Sequence, residues 1–487
     1  MLGIELNRQA ELPVRRQLYE ALKGQITGGR LKAGEALPST RELAQALNLS
    51  RSTVCEAYQM LLAEGFILSR QGAPTVVAGN LCLEKLPDVR PREDAPPPAF
   101  AADFRTGSPA LTLFPKFLWQ QMLRRALEET PLDRYGYTGP QGYDELRAEI
   151  ADWLFRGRGL AVHPDDVFIT AGATHALHLA AGLLYESGRG LLAEDPCHTG
   201  MLRTFLSMGC PVTPVPVDEQ GIKTDLLPKD GNAFAVYVTP SHQFPLGGIL
   251  PAARRAALIR YAREKGIYVI EDDYDSEFRY GGEPVAPLYD LDPQRVIYVG
   301  TFSKALFPAL RIGFVLLPRD LQRRWRILRT HTDVQSPPFE QAALAMLLHT
   351  RKLDRHIQKM RKIYRQRRQA LLEALKSAFG GGWLPWGDAA GLHLAVQFPG
   401  MRFDGAFHKA CLEYGIYVTP VERHCIQKGS HLDKLLLGYG HLSPEEIRHG
   451  VPLLAQAMWA GAEGWKNRRG EGFLKILLPA PLFEKPQ

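Results

Sequence analysis

In the run YVGTFSKALFPALRIG, residues 298–313, an apolar stretch ends in Thr301, Phe302, Ser303 and Lys304, and Arg311 follows seven residues after the lysine. An amine at the end of a strand can condense with an aldehyde to a Schiff base. Two hydroxyls and a guanidinium can hold a phosphate carried by the same molecule. Upstream, IYVIEDDYDSEFRY runs a buried parallel strand into the consecutive acids Glu271, Asp272 and Asp273. A heteroaromatic electron sink needs its ring nitrogen protonated, and a carboxylate at a strand's C-terminal edge keeps it so; Asp272 is the choice. Tyr274, two residues on, shares that side of an extended chain and can meet a phenolic oxygen on the ring. Together these needs describe pyridoxal 5′-phosphate (PLP). A run of acids could instead hold a metal, but no histidine pair at ligand spacing accompanies this one.

Such residues need a scaffold that brings strand ends together. The apolar runs VFIT (167–170), GLLAE (190–194), AVYVTP (235–240), IYVIED (267–272) and VIYVG (296–300) alternate with helical segments such as THALHLAAGLLYE. That alternation predicts a large α/β unit with a mainly parallel sheet, whose ligands bind at the strands' C-terminal edge. The same edge supplies further candidates. After ITAG, the amides of Ala173 and Thr174 open a helix and suit a phosphate. His198, in EDPCHTG, offers a flat ring to stack on a pyridine, against the plainer reading of a surface histidine. His242 and Gln243, in TPSHQFPLGG, fall near the ring oxygen, and Tyr137, in RYGYTGPQG, is another phosphate candidate.

Residues 11–79 follow a different pattern. Leu18, Leu22 and Ile26 form one helical stripe behind Pro13, and Ser39 with Glu42 makes a capping box for a second helix. Ser50 caps a third, on which Val54, Ala57, Leu61 and Leu62 are expected to face inward until Gly65 stops it. A small hairpin follows, so the whole predicts a winged helix-turn-helix. The exposed start of the third helix carries Ser50, Arg51, Ser52 and Thr53, donors fit for bases and phosphates of double-stranded DNA.

The strings LPSTRELA, SRSTV and LAEGF make this segment resemble the GntR family's DNA-binding domain. The resemblance implies DNA contacts through Arg41, Ser50, Arg51 and Thr53, and through Arg70 and Gly72 in the wing. Pro74 stands where that wing usually has a second glycine. Residues 101–460, through TPSHQFP, EDDYDSEFRY and TFSKALFPALRIG, resemble fold-type I PLP enzymes of the aspartate aminotransferase class. The whole chain resembles the MocR/GabR-type regulators, which fuse the two. That likeness implies a Schiff-base lysine at Lys304, Asp272 on the pyridine nitrogen, Tyr274 on the 3′-oxygen, a phosphate held by Arg311, Ser303 and Thr301, and His198 at the stacking position. It further implies a homodimer in which Tyr137 reaches the neighbouring subunit's cofactor. Where these aminotransferases carry an arginine for the substrate carboxylate, before a strand reading KLLLGYGHL here, this chain has Leu436, with Arg423 as a nearby substitute.

The chain has 487 residues, 45% hydrophobic and 23% charged, enough for two or more domains. Five prolines in 80–100 suggest a semi-rigid linker, and the tail 461–487 carries no clear pattern. The six cysteines show no C-x-x-C spacing, which suits reduced thiols. With neither a long apolar run nor a signal sequence, the expectation is a cytoplasmic protein that makes no use of a membrane. Net charge is +7, and residues 319–368 hold 14 Lys and Arg against four acids. This is a solvated surface or a further DNA contact. The function expected is a transcriptional regulator that senses PLP or an amine or amino-acid effector. The alternatives are a working aminotransferase with a DNA-binding domain, and PLP storage.

Overall fold

The computed structural model describes residues 3–79, 81, 100–185, 188–230, 232–281 and 285–466. Apart from Leu81 and Phe100, the predicted linker 80–100 lies outside the described residues. So does the predicted tail, except for the backbone of a last helix that runs to Lys466. The chain forms two compact units, Met1–Pro97 and Pro98–Gln487.

In the smaller unit, α1 (Val14–Thr27) buries Leu18, Tyr19, Leu22 and Ile26, the stripe expected from its spacing. α2 (Thr40–Ala46) opens on the full capping box, Ser39 accepting from the Glu42 amide and Glu42 from the Ser39 amide. α3 (Arg51–Ala63) is capped by Ser50. The antiparallel pair β1 (Ile67–Leu68) and β2 (Val76–Val77) closes the winged helix. One core assignment differs from expectation. Leu62 is 38% exposed while Tyr58 is buried, because the stripe from Val54 to Leu61 passes through position 58 and not 62. The Tyr58 hydroxyl donates to the Pro38 carbonyl at 2.8 Å, which makes its burial tolerable.

The larger unit is built on an eight-stranded sheet. Its strands are β3 (Val167–Thr170), β4 (Gly190–Asp195), β5 (Val212–Asp218), β6 (Gly221–Ile222), β7 (Ala233–Val238), β8 (Tyr268–Asp273), β9 (Val296–Thr301) and β10 (Gly313–Leu316). Their order is β3-β10-β9-β8-β7-β4-β5-β6. The β7-β8-β9 core is parallel, and β10 runs antiparallel to both β9 and β3. β7, AFAVYV, is buried along its whole length, as a strand covered on both faces must be. Alternation sends Val269 into one apolar cluster and Ile270 into the other. Asp272 and Asp273 therefore sit on opposite faces of the sheet.

Of these strands, β5, β6 and β10 were not anticipated. β5 reads VTPVPVD, and its prolines argue against a strand except near a sheet edge, which is where it lies. A second, antiparallel sheet holds β11 (Leu384–Trp386), β12 (His393–Gln397), β13 (Thr419–Pro420) and β14 (Lys434–Gly438) in the order β11-β12-β14-β13. The helices that matter below are α4 (Asp144–Arg158), α5 (Ala173–Leu184), α6 (Thr199–Ser207), α7 (Arg319–Thr332) and α8 (Lys352–Phe379). Among the described residues no helix is long and apolar enough to cross a membrane.

Candidate functional site

Sheet register assembles one end of the site. Thr170 closes β3 opposite Gly313 of β10, and Gly313 lies opposite Thr301 at the end of β9. Thr301 Oγ1 donates to Ser303 Oγ at 3.0 Å and accepts from the Ser303 amide at 3.2 Å. Gly172, with φ of 89°, turns the chain from β3 into α5. A Cβ there would sit 2.8 Å from Arg311 Nη2, which a guanidinium can yield to, so it is the positive φ that favours glycine. Arg311 Nη2 also donates to the Ala171 carbonyl at 2.6 Å. The first amides of α5, those of Ala173 and Thr174, have no intrahelical acceptor by the geometry of a helix end. Two hydroxyls, one guanidinium and a helix N-terminus thus converge. The Thr174 side chain and Arg311 are exposed on their open side.

Lys304 follows this cluster, and its Nζ donates to the Gly107 carbonyl at 2.5 Å. Burial lowers its pKa, against the raising pull of Asp275 and Asp272. A lysine held that way gives up its proton more readily, as an amine that attacks a carbonyl must.

Asp272 is 4% exposed. Its Oδ2 accepts from the Tyr237 hydroxyl at 2.7 Å, while its Oδ1 is buried without a partner. Burial, foremost, pushes its carboxyl up to about 6. An orphaned carboxylate oxygen in a dry site fits a cationic ring N–H, which would complete its hydrogen bonding and restore its charge. The residues present therefore fit PLP at both the phosphate end and the ring end.

The Tyr274 hydroxyl lies 2.9 Å from His242 Nδ1, which also faces Asp275 at 2.9 and 3.1 Å. Asp275 is the stronger acceptor and draws the Nδ1 proton, so Tyr274 keeps its own proton for a ligand oxygen. His242 Nε2 is left buried and unpaired. Gln243 is placed differently from expectation. Its Nε2 donates to Glu194, to Pro196 O and to Phe244 O, and its Oε1 accepts from Leu246. Those bonds make it the organiser of its own turn and leave no amide proton for a ligand. His198 caps α6, its Nδ1 accepting from the Met201 amide at 3.2 Å. Burial and Lys304 hold it at about 4, so the ring is neutral as well as flat. Tyr137 is 89% exposed within a single chain.

Several groups here carried no recognisable sequence signal. Glu194 is fully buried and accepts from both the hydroxyl and the amide of Thr239, 45 residues away. His393 and His424 join His198 around Phe244, with ring centroids 5.0 to 5.2 Å from it. Burial lowers His393 to about 3 and His424 to about 4. Leu436 is fully buried in β14, opposite Ala395 and Thr419. Arg423 lies exposed in the turn whose His424 faces inward. Leu436 thus offers no charge, and the histidines gathered around Phe244 are neutral.

In the smaller unit Arg41, Ser50, Arg51 and Ser52 are exposed, with Thr53 half-buried, around the start of α3. Ser50 Oγ lies 2.8 Å from Ser52 Oγ and 2.7 Å from Thr53 Oγ1, and Arg51 Nε donates to Thr40 Oγ1 at 3.4 Å. Arg70 and Gly72 are exposed between β1 and β2. The basic residues of 319–368 divide: Arg329 is fully buried against Pro140 O, Arg324, Arg361 and Arg365 donate to backbone carbonyls, and Arg319, Arg323, Arg355, Lys359 and Lys362 are exposed.

Residues 14–77 match the family described as bacterial regulatory proteins, gntR family, and residues 114–431 match aminotransferase class I and II. The Rhizobium meliloti protein named "Probable rhizopine catabolism regulatory protein MocR" is 33% identical over 93% of this chain and 96% of its own length. The HTH-type pyridoxine biosynthesis transcriptional regulator PdxR of Corynebacterium glutamicum is 35% identical over 77% of this chain and 81% of its own. Among solved structures, the α-aminoadipate aminotransferase LysN of Thermus thermophilus, complexed with N-(5′-phosphopyridoxyl)-L-leucine, is 28% identical. It covers 74% of this chain and 93% of that one, with a TM-score of 0.68. The chain therefore belongs to the MocR-type transcriptional regulators, in which a GntR-family DNA-binding domain is joined to an aminotransferase class I and II domain.

Proposed function

We propose that the larger unit binds PLP covalently at Lys304, and that an amine or amino-acid effector, or PLP occupancy itself, sets the winged helix's affinity for operator DNA. The orphaned Oδ1 of buried Asp272, on the strand beside the one that leads to Lys304, is the observation that carries the cofactor assignment. Bound there, PLP supplies an aldehyde that exchanges amines and a ring that withdraws electrons. Arg311, Thr301, Ser303 and the start of α5 hold its phosphate, Asp272 keeps a proton on the ring nitrogen, and Tyr274 donates to the ring oxygen. His198 covers one face of the ring. In a homodimer, the exposed Tyr137 is free to reach the other subunit's phosphate.

Turnover is a separate matter. Leu436 cannot orient a substrate carboxylate, and the neutral rings of His198, His393 and His424 do not replace an arginine. Sensing, not transamination, is the reading that this pocket supports. Gel-shift titration of the purified protein on its own upstream DNA, with and without PLP and with Lys304→Ala, tests it. Binding that responds to PLP in the wild type and not in the variant is expected. Identical curves in all four conditions would refute the proposal.

A further inference from the structure

Behind the Lys304 site the larger unit contains a second opening, of about 430 Å³, within the range of small-molecule sites. Four guanidinium groups line it: Arg156 and Arg158 of α4, Arg361 of α8, and Arg279. Their charges are unequally matched. Arg156 pairs with Asp152 and with Asp354, and Arg158 pairs with buried Asp273. Among the described residues Arg361 donates only to the Glu277 carbonyl, at 3.0 and 2.8 Å, and meets no carboxylate. The Arg279 side chain has no hydrogen-bonding or ionic partner among the described residues. The remaining carboxyl in the lining, Glu277, is pushed up by burial foremost and then by Asp273, so it adds little negative charge. The Nε atoms of Arg156, Arg158 and Arg279 are each buried with no partner. Unpaired buried donors beside surplus positive charge are costly unless an anion meets them. Trp153, Leu154, Val285 and Ile357 supply an apolar wall.

The partition between this opening and the Lys304 site is one residue thick in three places. Ser241, Ser276 and Ala390 line the opening, and their chain neighbours His242, Asp275 and Gly391 meet on the other side. A Cβ on Gly391 would lie 2.1 Å from His242 Cε1 and 2.7 Å from Asp275 Oδ2. Arg158 grips the opening's side of the same wall, through Ser276 and through Ser241 at 3.0 Å.

We propose that this cavity is a second, regulatory site for a small organic anion, one carboxylate or phosphate on an apolar body, whose occupancy is transmitted to His242 and Asp275. Binding at the cavity stands by itself; its transmission rests on the PLP reading above. Calorimetric titration of the full-length chain with phenyl phosphate tests the first part, comparing wild type, Arg279→Gln, Arg361→Gln and Arg311→Gln. Arg279→Gln and Arg361→Gln should each weaken one class of site at least tenfold while Arg311→Gln spares it. Titrations unchanged in both cavity variants, or a loss confined to Arg311→Gln, would overturn the site. In the PLP-loaded chain, phenyl phosphate should shift the pH dependence of the cofactor's visible absorbance, and Arg279→Gln should abolish the shift. An unmoved profile with binding intact would overturn the transmission. A chain that takes up no PLP would instead sink the earlier reading, leaving the calorimetry to decide the cavity.

Discussion

Asp272 and Glu194 share one buried patch, and burial raises both, Glu194 to about 7. A carboxyl whose folded pKa lies above its unfolded value contributes stability below the unfolded pKa, and that contribution is lost as pH rises through the folded one. Glu194→Gln removes the titration while preserving an acceptor for Thr239. Relative to the wild type, the cofactor-free variant should therefore gain about 2 kcal/mol between pH 5 and pH 8, measured by urea unfolding. A pH-independent difference would place the ionised form in the native state throughout. Asp272→Asn tests the neighbouring acid. An amide cannot hold a proton on the ring nitrogen, so PLP affinity should fall about tenfold or more by spectrophotometric titration. Asp272 was legible because an acid run ends an apolar strand and a tyrosine follows two residues on. Glu194 was not, because Thr239 reaches it from an adjacent strand, and nothing local distinguishes it from an ordinary strand-end acid.

Helices were the most legible elements, since their ends are written locally. The capping box of α2 and the Ser50 cap of α3 both lie in the sequence as residues three apart. Ser39→Ala should cost the smaller unit about 1 kcal/mol. It should appear as faster hydrogen exchange of the first α2 amides in the intact chain, with the larger unit's amides unaffected. Unchanged protection would mean that tertiary packing alone holds α2. Strands were less legible where the pattern was short or broken, as in β10, a four-residue strand that begins two residues after a left-handed Arg311. Yet β10 joins Thr170 to Thr301 in register. The phosphate end of the site is thus a product of non-local pairing that one-dimensional spacing could only suggest. Gln243 shows the converse: its motif was recognised, but its side chain closes the turn that presents His242.

At the scale of the whole molecule, excess positive charge was an ambiguous signal in the sequence. Residues 319–368 hold 14 basic side chains against four acids, whereas residues 1–79 hold nine against seven. Yet Arg329 crosses the interior to Pro140, Arg367 reaches the Gly440 carbonyl, and Arg368 pairs with Asp388. Guanidiniums committed to carbonyls and carboxylates inside one unit cannot also release counterions from a duplex. These internally bonded guanidiniums should therefore add nothing to the salt dependence of operator binding. Arg51→Ala and Arg70→Ala should each weaken binding and lower the slope of log affinity against log salt by about one. Arg368→Ala should leave that slope unchanged, and all three variants should keep the wild-type cofactor spectrum. Fluorescence anisotropy across a salt series distinguishes these outcomes. A flattened slope in the Arg368 variant would mean that this arginine leaves Asp388 when DNA is bound, and that the larger unit contributes to the interface.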